Sequence, residues 1–211
     1  MAQPDFIYRY IPSADTDQDA PTMLLLHGTG GSEEDLLPLM EEFGEQWNYL
    51  SPRGKVLEHG MPRFFRRLAE GVFDQEDLKL RTAELADFVR DAAVHHGFNP
   101  SRVVALGYSN GANIAASMLL GGYLTLRHAI LMHPMVPFFP KEFPDLAHNR
   151  ILITAGENDP VVPHSNTLEL EQIFRESGAH VELFWHDAGH SLAHKEIRKA
   201  VAFSVTLKKH F

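Results

Sequence analysis

The chain has no cysteine among its 211 residues. Disulfides and a thiolate nucleophile are excluded, and a reducing compartment is expected. Cations are scarce too: 19 Lys and Arg stand against 28 Asp and Glu, a formal net charge of -9. Nucleic-acid surfaces need clustered cations to displace counterions from phosphates, so no nucleic-acid partner is expected. Also missing is any apolar run of about 18 residues, which a membrane-spanning helix requires. Met1-Ala2-Gln3-Pro4-Asp5 carries no basic segment followed by an apolar one, so no secretory signal is read there and a cytoplasmic protein is expected. There is no repeat, low-complexity tract or linker, and the 44% hydrophobic content suffices for a sizeable core. One domain over residues 1–211 is expected, its loosest piece being the acidic stretch from Ser13 to Asp19.

What is present alternates between two patterns. Short apolar runs predict strands at Phe6–Ile11, Thr22–Leu26, Trp47–Ser51, Val103–Leu106, Ala129–Met132, Ile151–Ala155 and Val181–Trp185. Helical spacing predicts a helix from Ser32 with Leu36, Leu37, Leu39, Met40 and Phe43 on its apolar face. A long helix is predicted over Gln75–His96, with Leu78, Leu80, Leu85, Phe88 and Val89 inward and Gly97 closing it. Leu168, Leu170, Ile173 and Phe174 mark another, and Leu192–Leu207 the last. Residues 54–74 read as a long loop with one helical turn. Strands alternating with helices give an α/β fold: a mostly parallel sheet covered on both faces, with its active site at the carboxyl ends of the strands.

The strand ending at Leu106 runs into Gly107-Tyr108-Ser109-Asn110-Gly111 and then a helix-like segment. A serine between glycines at a strand-to-helix turn is a nucleophile elbow, with the helix N-terminus aimed at the charge that develops during acyl transfer. Serine needs a base, and the base an orienting acid. Gly156-Glu157-Asn158-Asp159-Pro160 supplies the acid after one later strand; Asp159 is preferred over Glu157 because Pro160 follows it. His186-Asp187-Ala188-Gly189-His190 supplies the base after the next strand; His190 is preferred because Gly189 permits a sharp loop, while His186 reads as structural. Oxyanion donors are expected from the N–H of Asn110 and from the turn His27-Gly28-Thr29-Gly30-Gly31, where the N–H of Thr29 is best placed. That turn lacks the Gly-Lys-Ser/Thr ending of a phosphate loop.

These four motifs, in this order, resemble the phospholipase/carboxylesterase family of α/β-hydrolases, which includes the acyl-protein thioesterases. The Tyr-Ser-Asn-Gly-Ala-Asn run at 108–113 is most similar to small bacterial esterases related to the hydroquinone-resistance hydrolase. The resemblance implies an α/β-hydrolase fold without a large cap domain, Ser109 as nucleophile, Asp159 as acid, His190 as base, and Thr29 and Asn110 as oxyanion donors. It implies a serine carboxylesterase acting on small to medium esters, with lysophospholipase or acyl thioesterase activity as the alternative, no cofactor, and a homodimer. Asn110 and Gly31 depart from the thioesterase pattern.

Substrate-binding walls are expected from Arg53, Met61, Phe64 and Phe65 in one loop and Met135 and Val136 in another, with Phe138 and Phe139 beside them; core packing is the competing role for each. Arg63, Arg66 and Arg67 offer attraction for an anion, or a solvated basic face. His133 is expected to border the site. His186, His190 and His194 would make a metal stripe on one helix, but Gly189 interrupts it and no metal is expected. A binding module on the same fold would be expected to have lost Ser109 or His190.

Overall fold

The computed structural model describes residues 5–14, 20–123 and 126–211. Residues 15–19 of the acidic stretch lie outside the described residues. In chain order the strands are β1 (Tyr8–Ile11), β2 (Thr22–Leu26), β3 (Asn48–Pro52), β4 (Val56–Glu58), β5 (Met61–Arg63), β6 (Arg67–Ala69), β7 (Val72–Phe73), β8 (Val103–Tyr108), β9 (His128–Met132), β10 (Arg150–Gly156) and β11 (His180–His186). The helices are α1 (Met40–Phe43), α2 (Gln75–His96), α3 (Asn110–Leu120), α4 (His164–Glu176) and α5 (His194–Leu207).

Seven strands form the central sheet in the order β1-β3-β2-β8-β9-β10-β11. Only β1 is antiparallel to its neighbour; the other pairings are parallel. The inner parallel strands β2, β3, β8, β9 and β10 are buried along almost their whole length, unlike the edge strand β11, so their apolar runs divide by alternation. Leu24 and Leu26 of β2 join Val103 and Ala105 of β8 in one core with residues of α2, α3 and α4. Met23 and Leu25 join Val104 and Leu106 in a second core with Phe43 of α1 and Ala200, Phe203 and Leu207 of α5. Burying each such Leu or Phe is worth about 1.5–3 kcal/mol. The structure is an α/β-hydrolase fold with helices on both faces of a mostly parallel sheet, and no large cap is present among the described residues.

The long helix α2 has the expected bounds. Asp74 accepts the Asp77 N–H at its start, and Gly97 ends it at φ 78°, a left-handed conformation that glycine takes without penalty. One of the expected inward leucines of α2, Leu80, is exposed instead, as is Leu168 of α4. The helix expected from Ser32 is replaced by turns, a 3₁₀ segment at Leu37–Leu39 and the single turn of α1. Pro38 explains this, because it has no N–H to donate and its ring crowds the carbonyl four residues back. Residues 54–74 contain no helical turn; they form two small hairpins, β4–β5 and β6–β7.

The chain leaves β2 to one side for β3 and returns to the other side for β8. The crevice where strand order reverses lies at the carboxyl ends of β2 and β8, where open α/β sheets bind their ligands. The Gly28–Gly31 turn and Ser109 flank it.

Candidate active site

Ser109 sits at the junction of β8 and α3 with φ 52° and ψ −113°, a region that costs a non-glycine residue about 1–3 kcal/mol. The turn is held from both sides: the Ser109 N–H donates to the Met132 carbonyl at 2.9 Å, and its carbonyl accepts the Asn113 N–H at 2.9 Å. Gly111 lets α3 approach β2, since a Cβ there would stand 2.0 Å from the Leu26 carbonyl oxygen.

His190 lies in the loop between β11 and α5, and its Nε2 is 2.9 Å from Ser109 Oγ. Its Nδ1 is 2.7 Å from Oδ2 of Asp159, in the loop after β10. Asp159 Oδ1 accepts the N–H groups of Val161 at 2.8 Å and Val162 at 3.0 Å. Burial pushes the Asp159 carboxyl up, but hydrogen bonds from His190, Val162, Val161 and His133 outweigh it and hold the group below the ordinary carboxylate range. The Tyr108 hydroxyl donates to the His190 carbonyl at 2.9 Å, fixing the loop that carries the ring. Gly189 has an ordinary backbone φ, so the sharp loop does not depend on it; the close approach is at Gly156, where a Cβ would meet the carbonyl oxygens of Ala188 and Gly189 at 2.4 Å. Glu157 points to solvent.

The N–H groups of Gly30 and Gly31 donate to the carbonyls of Pro62 and Gly28. Thr29 is exposed, and its N–H donates to no described residue. Its hydroxyl accepts from Arg63 at 2.6 Å, which ties the turn to β5. The N–H of Asn110, at the first position of α3, is likewise without a carbonyl partner. The Asn110 side chain accepts the Phe64 N–H at 2.7 Å, linking the elbow to the segment after β5.

The expected walls divide. Met61 packs over the turn, its Sδ 3.6 Å from where a Gly30 Cβ would be. Met135, half-buried, donates its N–H to the Asn113 side chain at 2.7 Å. Phe65 is fully buried and meets Phe73 edge-on at 5.1 Å. Val136 belongs to the same core, and Phe64 is buried against the His27 ring at 4.7 Å. All three belong to the hydrophobic core. The Arg53 guanidinium is committed to Glu33 by two contacts of 2.5 and 2.8 Å. Arg63 is buried beside Thr29 and Glu58, Arg66 pairs with Asp74 and Asp77, and Arg67 pairs with Glu58. None of the four is a free cation. A cavity of about 400 Å³ lies elsewhere, between α2, the end of α3 and the segment after β9, lined by Leu78, Thr82, Tyr123, Phe138 and Phe139 among others.

His133 is more than a border residue. Its Nδ1 is 2.8 Å from the same Asp159 Oδ2 that contacts His190, and its Nε2 is 3.2 Å from Oε1 of Glu196. Glu196, fully buried on α5, also accepts from the Thr154 hydroxyl at 2.6 Å and the Ala193 N–H at 2.7 Å. Burial would lower the His133 pKa, but Glu196 and Asp159 raise it overall. The Glu196 carboxyl, pushed up by burial, is brought below its ordinary range by His133, Thr154 and Ala193. Sequence reasoning missed Glu196; its only signal was an acid on the inward face of the last helix, which reads as an exposed residue.

Among the described residues, two groups have ligand atoms close enough for a metal ion: His133, His186 and Glu196, and His133, Asp159 and His190. Both nitrogens of His133 already face carboxylates. His186 Nδ1 accepts the Ala188 N–H at 3.3 Å, which leaves the proton of the neutral ring on Nε2, the atom a metal would need. The stripe of His186, His190 and His194 does not form, since the three lie at the end of β11, in a loop and at the start of α5.

Residues 59–207 match the dienelactone hydrolase family. The chain belongs to that family. It is 51% identical over 178 residues to MhqD of Bacillus subtilis (strain 168), a protein named as a hydrolase, covering 84% of this chain and 89% of that one. The crystal structure of a Bacillus cereus carboxylesterase superimposes with a TM-score of 0.92 at 45% identity, over 98% of this chain and 95% of that one. A carboxylesterase from Mesorhizobium loti gives 0.87 at 29% identity, over 95% and 94% of the two chains. The chain is a hydrolase of the α/β-hydrolase fold, related to carboxylesterases, and no described helix is long and apolar enough to cross a membrane.

Proposed function

We propose that this hydrolase is a serine carboxylesterase that cleaves small to medium carboxylic esters through an acyl-enzyme on Ser109. The observation that carries the reading is the unbroken relay from Ser109 Oγ through both nitrogens of His190 to Asp159. His190 Nε2 takes the serine proton as Oγ attacks the ester carbonyl, and Asp159 stabilises the imidazolium that results. The carbonyl oxygen becomes an oxyanion held by the N–H groups of Asn110 and Thr29, each worth about 10²–10³ in rate. His190 then gives its proton to the departing alcohol. Water enters, loses a proton to His190 and releases the acid by the same steps. Kinship with two carboxylesterases supports the substrate class, and the paired state of Arg53, Arg63, Arg66 and Arg67 supports neutral rather than anionic esters.

A panel of neutral and anionic esters and thioesters of graded acyl length, run beside Ser109→Ala, tests the proposal. Neutral short and medium esters are expected to turn over best, and Ser109→Ala to lose at least about 10⁴-fold in kcat with an unchanged circular dichroism spectrum. Retained turnover in that variant would refute it.

A further inference from the structure

Asp159 Oδ2 takes two imidazoles at once, His190 at 2.7 Å and His133 at 2.8 Å. Nothing in the acyl-transfer steps requires the second ring. His133 is fully buried, at 1% exposure, and held at φ 53°, with its own N–H bonded to the Thr154 carbonyl at 2.9 Å. A backbone in that region, at a β9 terminus rather than a glycine turn, is strained, and the strain aims the ring between Asp159 and Glu196.

The protonation state follows from the contacts. A neutral imidazole has one N–H and one lone pair, so one of its nitrogens would turn a lone pair toward a carboxylate oxygen. An imidazolium donates to both. Glu196 needs such a partner: its side chain is 0% exposed, and among the described residues the only nitrogens paired with it as potential cations are those of His133 and His186. An unpaired buried carboxylate is costly enough that it would take up a proton instead. The other groups facing His133 are the His186 ring on β11 at 5.2 Å, the His190 ring at 5.1 Å and the Tyr108 ring on β8 at 6.0 Å. None carries a competing negative charge.

We propose that His133 and Glu196 form a second imidazolium–carboxylate pair behind Asp159, a positioning pair that locks Asp159 and tempers its pull on His190. The proposal rests on the Ser109–His190–Asp159 reading. Glu196 supplies part of the counter-charge for His133, so only part of the Asp159 charge is drawn away from the imidazolium formed on His190 during acyl transfer. The nearer positive charge of His133 weakens Asp159 as a partner more than the farther negative charge of Glu196 strengthens it. Replacing Glu196 with Gln keeps the shape and removes the charge. The amide that donates to His133 Nε2 takes the place of Oε1 and gives up the Ala193 N–H bond, while His133 Nδ1–H still reaches Asp159.

Nitrogen NMR of [¹⁵N]histidine-labelled protein tests this directly. In the wild type at about pH 8 the His133 ring, assigned through its backbone, is expected to show both nitrogens protonated, well above where a free imidazole titrates. In Glu196→Gln the same ring is expected to be neutral at that pH. The acid limb of kcat/KM is expected to move to higher pH by about half a unit or more, a change that a merely structural role would not produce. A neutral His133 ring in the wild type overturns the proposal, and so does an acid limb in Glu196→Gln that superimposes on the wild type's. The wild-type spectrum decides the matter even if the variant does not fold. It is independent of turnover, so failure of the Ser109 assignment would show instead as activity retained by Ser109→Ala.

Discussion

Ser109 and His133 both hold positive φ, 52° and 53°, at the ends of neighbouring parallel strands. Two non-glycine residues kept in that region cost about 1–3 kcal/mol each, and both point their side chains into one hydrogen-bonded cluster. Asp159 is the hub of that cluster, accepting from His190, His133, Val161 and Val162. Asn in its place has a single acceptor oxygen and an N–H₂ that meets other donors, so the His190 tautomer is no longer fixed. Asp159→Asn is expected to lower kcat on an activated ester by about 10³–10⁴-fold while leaving KM within a small factor. A drop of less than tenfold would remove Asp159 from the role proposed for it. The candidate triad residues were legible because each follows a strand in a short, glycine-containing turn. The His133–Glu196 pair was not, because its partners come from β9 and α5 and only the folded sheet brings those elements together.

At the scale of elements, the elbow works because α3 lies against β2 with no side chain between them. Gly111→Ala gives a sharp test, since helix propensity and packing oppose each other there. Alanine favours a helix by about 1 kcal/mol over glycine, but its Cβ would stand 2.0 Å from the Leu26 carbonyl and 2.6 Å from that of His27. Overpacking against backbone costs about 1–3 kcal/mol or more, so urea denaturation is expected to show a net loss of stability. An unchanged or raised midpoint would mean that α3 does not pack this closely. The strands and α2 were legible from periodicity, and α2 also from its Asp74 and Gly97 ends. The helix expected from Ser32 failed because Pro38 overrode a good apolar spacing. The β4–β5 and β6–β7 hairpins were hidden by mixed glycine, proline and arginine, and their strands are only two or three residues long.

For the whole molecule, the parallel sheet gathers three loops from separate strands at one edge, around the crevice where strand order reverses. Alternation of strand and helix was enough to foresee that architecture, since burial on both faces leaves continuous apolar runs. Pocket walls were less legible, because core and wall residues share one composition; Phe65 and Val136 proved to be core. The net charge of -9 and the pairing of Arg53, Arg63, Arg66 and Arg67 support the neutral substrates proposed above. The account stands on Ser109 being the single activated nucleophile. Intact-mass and peptide-mass measurement after treatment with an activated alkyl phosphonate tests that most directly. The expected result is one adduct per chain, on the peptide containing Ser109, with esterase activity lost in parallel and no adduct on Ser109→Ala. An adduct on another residue, or continuing ester turnover by a fully labelled protein, would contradict it.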